Sequence, residues 1–221
     1  MRTPKVLIAC EESQAVCSAF RSRGIEAYSC DLQEPSGGHP EWHILGDALK
    51  AVEGGQVVTM DGTHHYIDKW DLLIAHPPCT YLTNAGAVRM RVKGEIVQER
   101  FQKAMEAKAF FLQFFNASIS HIAVENPTPM KIVGLPPYAQ AIQPYEYGHP
   151  YSKRTCLWPK NLPPLRPRSL PRMSHTSTAA AKIPMETIAN SRAEKNVTLK
   201  HVPKHFRESP PQWLSSGFLS L

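Results

Sequence analysis

The sequence predicts an α/β domain built on a parallel sheet, and three observations carry that expectation. Short apolar runs, of the length of buried strands, alternate with longer stretches of helical character. The first three segments are spaced as a β-α-β unit. At 221 residues and 42% hydrophobic composition, the chain is long enough to give one such domain a real core.

Residues 5–10 (KVLIAC) read as a buried strand, residues 14–23 as a helix stopped by Gly24, and residues 26–30 as a second strand ending at Asp31. Such a unit forms a right-handed crossover and gathers ligands beyond the carboxyl ends of its strands. Residues 56–60 and 63–67 flank Asp61-Gly62, a strong hairpin signal, and form an insertion between core strands. Residues 71–75 give the next core strand. Residues 94–116 predict a long helix whose Ile96, Phe101, Met105, Leu112 and Phe115 form an apolar stripe. Residues 121–125 (HIAVE) return as a strand, and residues 154–158 (RTCLW) are a further short strand, after which regular alternation is lost.

Charge divides the chain in two. Residues 1–162 hold 16 Lys+Arg against 16 Asp+Glu, whereas residues 163–221 hold 9 against 3, which is the entire net charge of +6. The second part also carries eight of the 20 prolines. The expected organisation is therefore an evenly charged core over 1–162 and a short, irregular, basic, Pro-rich extension over 163–221. A polyanionic partner and a merely solvated tail both fit that extension.

Five cysteines, odd in number and without a Cys-x-x-Cys pair, suit a reducing compartment and argue against a disulfide framework or structural zinc. No bilayer-length apolar run or charged-then-apolar leader is present, so a cytoplasmic protein without membrane contact is expected. His39, His43, His64 and His65 lack metal-ligand spacing, and no metal is expected.

The predicted strand ends carry the chemistry. In a parallel sheet the residues just past each strand share one edge. Those residues are Glu11-Glu12-Ser13, then Asp31, then His76-Pro77-Pro78-Cys79, then Glu125-Asn126-Pro127. The two prolines cannot continue a ladder, so they end the strand in a rigid loop that presents one thiol. Asp31 lies 20 positions beyond Glu11 (31 − 11), the offset at which an acidic side chain takes ribose hydroxyls; an ordinary strand-end aspartate reads the same way.

Pro77-Pro78-Cys79, followed 46 residues later (125 − 79) by Glu125-Asn126, with Gly46-Asp47 before them, resembles the DNA cytosine carbon-5 methyltransferases. The likeness is to the compact, often phage-borne members, and it extends more weakly to residues 148–154 (GHPYSKR). It covers residues 5–158 and implies that the core over 1–162 is the catalytic unit and the basic extension over 163–221 a minimal target-recognition element. The resemblance implies a Rossmann-like, S-adenosylmethionine-dependent methyltransferase sheet, with DNA as partner. By resemblance, Cys79 adds to cytosine carbon 6, and Glu125 serves ring nitrogen 3 with a carboxyl whose pKa burial would raise. Arg154 matches the family's arginine at the cytosine carbonyl, with Lys153 as the competing cation. Pro78, Asn126 and Lys153 fall at the target base; Glu11, Glu12, Asp31, Asp47 and Pro77 fall at the cofactor.

The chain departs from that pattern at three places. Cys10-Glu11-Glu12-Ser13 stands where a Gly-rich loop is usual, Pro127 where valine follows Glu-Asn, and Tyr151-Ser152-Lys153-Arg154-Thr155 where the family has Gln-x-Arg-x-Arg. Residues 81–93 (YLTNAGAVRMRVK) have the length and charge of a loop that handles an extruded base. Two other classes fit the sequence: an enzyme acting on a free pyrimidine nucleotide with the same Cys and Glu, and a non-catalytic nucleic-acid-binding descendant of the fold.

Overall fold

The sheet grows outward from its most apolar strand. In the computed structural model, which describes residues 3–148 and 151–167, strand β1 (Lys5–Ala9) buries Val6, Leu7, Ile8 and Ala9 to 2% exposure or less. A strand buried on both faces needs cover on both, and the following helix α1 (Ala15–Arg21) supplies one of them. Strand β2 (Glu26–Asp31) then lies parallel to β1. The short β3 (His43–Leu45) extends the edge beyond β2, and α2 (Ala48–Val52) follows it.

Strands β4 (Gly55–Val58) and β5 (His64–Ile67) form the expected antiparallel hairpin. It is more than decoration, because Val57 and Ile67 are buried in the core beside Tyr28 and Trp70. Strand β6 (Leu72–Ala75) returns to the sheet on the other side of β1. A small hairpin, β7 (Arg91–Val92) with β8 (Glu95–Ile96), precedes the long helix α3 (Gln98–Phe115). Strand β9 (His121–Pro127) pairs parallel with β6. Strands β10 (Gln140–Ile142) and β11 (Thr155–Lys160) close the sheet, with β11 antiparallel to both β9 and β10.

The resulting order is β10-β11-β9-β6-β1-β2-β3. This is the Rossmann-like α/β sheet that the sequence predicts, with the order reversing at β1 so that a crevice opens beside its carboxyl end. Alternation along the strands divides the core. Leu7, Tyr28, Leu73, Val124 and Trp158 face α2, α3 and the hairpin, while Val6, Ile8, Leu72, Ile74, Ala123 and Leu157 face α1.

Several expectations change at element ends. The helix expected over 94–116 begins at Gln98, because Lys93 and Gly94 (φ 51° and 89°) form a two-residue turn and residues 95–96 pair back on 91–92. Ile96 therefore lies in a strand and not on the helical stripe. Leu165 is buried in the α1-side core and its backbone is held by the Gln140 side chain, so the packed body reaches at least that residue. The rest of the basic extension, from residue 168, lies outside the described residues, as do His149 and Pro150. Among the described residues, no helix is long and apolar enough to cross a membrane.

Candidate active site

Strand register assembles the site. Ala9 is in register with Cys30 on one side and Ala75 on the other, and Ala75 with Val124. One residue further along each strand, Asp31, Cys10, His76 and Glu125 fall on a single row at the carboxyl edge. The His76 N–H continues the ladder by donating to the Ala9 carbonyl at 3.0 Å. From β2 to β9 the row spans three strand spacings, about 14 Å.

The loop after β1 replaces glycine geometry with strained residues. Cys10 and Gln14 hold φ of 59° and 55°, the left-handed region that costs roughly 1–2 kcal/mol per non-glycine residue. The Gln14 side chain is fully buried, donating from Nε2 to Ser29 Oγ at 3.2 Å and the His39 carbonyl at 2.8 Å, and accepting from the His39 N–H at 3.0 Å. A glycine of another segment packs against this loop. A Cβ on Gly37, in the β2–β3 connection, would sit 2.6 Å from Gln14 Cβ and 2.8 Å from the Ser13 carbonyl oxygen. That connection is also tied down by the Ser36 N–H donating to the Glu12 carbonyl at 2.9 Å.

Glu11 is buried, and its carboxylate accepts from the N–H groups of Val16 (2.6 Å) and Cys17 (3.2 Å). The helix terminus that binds phosphate in dinucleotide folds is thus filled by the chain's own carboxylate. Burial raises the Glu11 pKa, against the opposing pull of the His76 charge and the two amides.

Asp31 and Asp47 mark the other end of the row. Asp31 Oδ1 accepts from the Gln33 N–H at 3.0 Å, and its carbonyl accepts from Gly46 N–H at 2.9 Å. Asp47 is the N-cap of α2, taking the Leu49 N–H at 2.9 Å. Both carboxylates lie near enough to Cys10 to add to the burial that pushes its thiol up to about 12. Glu12 is half-buried beside them.

Cys79 is carried by a stitched loop. Pro77 is buried, Pro78 is exposed, Cys79 is half-buried, and the Cys79 carbonyl accepts from the N–H groups of Leu82 and Thr83 at 3.0 and 3.2 Å. The Asn84 N–H donates to the Thr128 carbonyl, and the Met130 N–H to the Leu82 carbonyl at 2.7 Å. The segment bearing the thiol is therefore fastened to the segment that follows Glu125.

Glu125 has a partner that the sequence does not reveal. His76 Nδ1 donates to Glu125 Oε2 at 2.9 Å, with both side chains about one-fifth exposed (21% and 19%). The expectation of a raised Glu125 pKa is corrected: burial does push it up, but the His76 hydrogen bond and charge, with Lys153, outweigh it and hold the carboxyl below its ordinary value. The same pairing raises His76 against its own burial, with Glu11 adding and Lys153 opposing. Burial and the Glu125 charge push the Cys79 thiol up, and Lys153 pulls it down.

The two candidate cations separate here. Lys153 acts electrostatically on Cys79, Glu125 and His76. Arg154, exposed, donates to Tyr138 Oη at 3.0 Å and lies 6.0 Å from that ring's centroid. Asn126 is fully buried, its Nδ2 donating to the Pro127 carbonyl, and among the described residues its Oδ1 has no partner. Beside the Cys79 loop, Tyr81, Arg89, Arg100 and Lys103 line a groove of about 440 Å³, with the Arg100 guanidinium 5.1 Å from the Tyr81 ring centroid. Among the described residues, no group of three or more His, Cys, Asp or Glu side chains converges as a metal site would require.

No model of a known protein family matches the chain, and no curated protein matches its sequence. Solved structures give distant likenesses. A methyltransferase of Entamoeba histolytica is 15% identical, over 74% of this chain and 54% of that one, with a TM-score of 0.42. A candidate DNA modification methyltransferase encoded within a prophage of E. coli is 11% identical, over 71% of this chain and 46% of that one, with a TM-score of 0.40. WbdD, crystallised with a kinase inhibitor, is 10% identical over 73% and 37%, with a TM-score of 0.36. The chain spans about half the length of the first two and less of the third.

Proposed function

We propose that this protein transfers a methyl group from S-adenosylmethionine to carbon 5 of cytosine in DNA, through a covalent adduct of Cys79. The observation that carries the reading is the carboxyl edge of the sheet, with Asp31 and the neighbouring Asp47 suited to a nucleoside at one end and, at the other, Glu125, whose charge acts on the thiol of the Cys79 loop. The cofactor end fits this donor by its charge. Asp31 and Asp47 lie beside the β1–α1 loop, where Glu11 has closed the helix terminus to a pyrophosphate; a cationic nucleoside with ribose hydroxyls and an amino group matches an acidic crevice. Asp31 would hold the ribose, Asp47 the adenine amino group, and Glu12 with the buried Pro77 the remainder.

When bound, the cofactor supplies an electrophilic methyl group. Cys79 adds to ring carbon 6: the S–H bond breaks and the S–C6 bond forms, ring nitrogen 3 takes the proton held on the Glu125 side, and the thiol proton replaces it there. Once carbon 5 carries the methyl group, loss of the carbon 5 proton to water restores the ring double bond and expels Cys79. Lys153 favours the thiolate by lowering the Cys79 pKa, and neutralising Glu125 removes the charge that raises it. Asn126, with its unpartnered Oδ1, and Pro78 border the base. Arg154 on Tyr138 is placed as a flanking cation, and Arg89, Arg100 and Lys103 suit the phosphates of a polyanion.

The test is methyl transfer by the full chain from labelled S-adenosylmethionine to duplex DNA, single-stranded DNA and free dCMP, followed by nucleoside mass spectrometry. Label in 5-methylcytosine from DNA is expected. Label confined to the free nucleotide would replace DNA as substrate, and absence of cofactor binding by calorimetry would favour a non-catalytic descendant of the fold.

A further inference from the structure

His76 is fixed by its strand register and by one hydrogen bond. The parallel register of β6 and β9 sets it opposite Glu125, and alternation turns both toward the α1 face of the sheet. Its Nδ1 is committed to Glu125 Oε2 at 2.9 Å. Its Nε2 is buried and, among the described residues, has no partner. An imidazole nitrogen shut away from water without a partner is costly, so such a side chain persists where its other nitrogen is needed.

We propose that His76 is a positioning residue that holds, jointly with Glu125, the single proton that Glu125 delivers to the substrate ring. This rests on the reading of Glu125 as the group serving ring nitrogen 3. The hydrogen bond fixes Oε2 and leaves Oε1 as the oxygen directed away from the imidazole. The neutral pair carries one acidic proton, written either as imidazolium with carboxylate or as imidazole with carboxylic acid. When the ring nitrogen takes that proton, one N–H bond forms on the ring and the pair is left as neutral imidazole with carboxylate. The proton is regained from the Cys79 thiol, whose S–H bond breaks as sulfur joins carbon 6.

The charges facing His76 agree with this division of labour. Glu125 on β9 and Glu11 after β1 favour the imidazolium, Lys153 opposes it, and Cys79 on the same loop is a thiol until it attacks. Without the imidazole, burial would raise the Glu125 carboxyl from its ordinary value, with Lys153 opposing, and that carboxyl would be the sole holder of the proton. The imidazole lets the pair keep that proton to higher pH.

The experiment joins a pH profile to a titration. In His76→Gln, an amide keeps a donor to Glu125 but cannot share the proton; the alkaline limb of kcat/KM is expected to move to lower pH by about one unit or more. An alkaline limb in the same place as the wild type, with only kcat reduced, would overturn the proposal and leave His76 a structural residue. Nitrogen-15 imidazole NMR of the wild type and of Glu125→Gln gives a readout that needs neither the first variant nor turnover. The His76 midpoint is expected above the free value of about 6.5 and to fall when the carboxylate is removed. A midpoint at or below that value, or one indifferent to Glu125→Gln, would overturn the proposal. Absence of methyl transfer together with a high, Glu125-dependent midpoint would count against the substrate reading while leaving the shared proton standing.

Discussion

At the scale of single residues, His76 and Glu125 tie stability to pH in opposite senses. His76 is raised from 6.5, so its contribution to folding is complete below that value and is lost as pH rises through the folded midpoint. Glu125 is lowered from 4.5, so its contribution is complete above that value and is lost as pH falls through its folded midpoint. The pair stabilises most between 4.5 and 6.5. Urea unfolding of Glu125→Gln beside the wild type should show a deficit of about 1–3 kcal/mol in that window, narrowing on both sides. A deficit independent of pH would remove the charge pairing from the account. Cys10 makes a different prediction. Glycine accepts its left-handed backbone without strain, so Cys10→Gly should stay within about 1 kcal/mol of the wild type, while Cys10→Val should lose about 2 kcal/mol.

At the scale of elements, α1 depends on a carboxylate from outside itself. Glu11 satisfies two of the N–H groups that a helix N-terminus leaves open, and Glu11→Ala should cost about 1–2 kcal/mol in thermal or chemical unfolding. Gly37→Ala should cost at least as much, because its Cβ would collide with backbone and Gln14 Cβ and must displace the β2–β3 connection. The long apolar runs of β1, β6 and β9 were legible because strands buried on both faces need nothing but apolar residues. β3 and α2 were not legible, being three and five residues long and held by neighbours, not by pattern. The β7–β8 turn at Lys93-Gly94 was masked by the helical spacing that runs through it. The β1–α1 loop, which departs from the Gly-rich pattern, has Cys10 and Gln14 in the left-handed conformations, and Gly37 lets the β2–β3 connection pack closely against Gln14 and Ser13.

At the scale of the whole molecule, the sequence indicated which strand ends meet but not how they pair. Cys79, Glu125 and Asp31 could be assigned to one edge from topology alone, since parallel strands deliver their carboxyl ends together, whereas Asp47 came only from the resemblance. The His76–Glu125 bond requires the register of β6 against β9, which no local pattern encodes, and without it burial alone gave the wrong direction for the Glu125 pKa. The division between Lys153 and Arg154 likewise needed Tyr138, which lies in a different segment of the chain. The net charge of +6, all of it beyond residue 162, predicts DNA affinity that falls steeply with salt. Truncation after Pro167, which keeps the buried Leu165, should lower the slope of log affinity against log salt while leaving cofactor binding unchanged. An unchanged slope would locate the phosphate contacts on the Arg89, Arg100 and Lys103 groove.

The proposed chemistry stands or falls on attack by the Cys79 sulfur on a cytosine ring in DNA. Duplex DNA carrying 5-fluorocytosine, incubated with the protein and S-adenosylmethionine, tests it most directly, because fluorine at carbon 5 blocks the release step. A denaturation-resistant complex is expected, shown by peptide mass spectrometry to be joined through Cys79 and absent in Cys79→Ala. No complex with the wild type, or an equal one in Cys79→Ala, would contradict it.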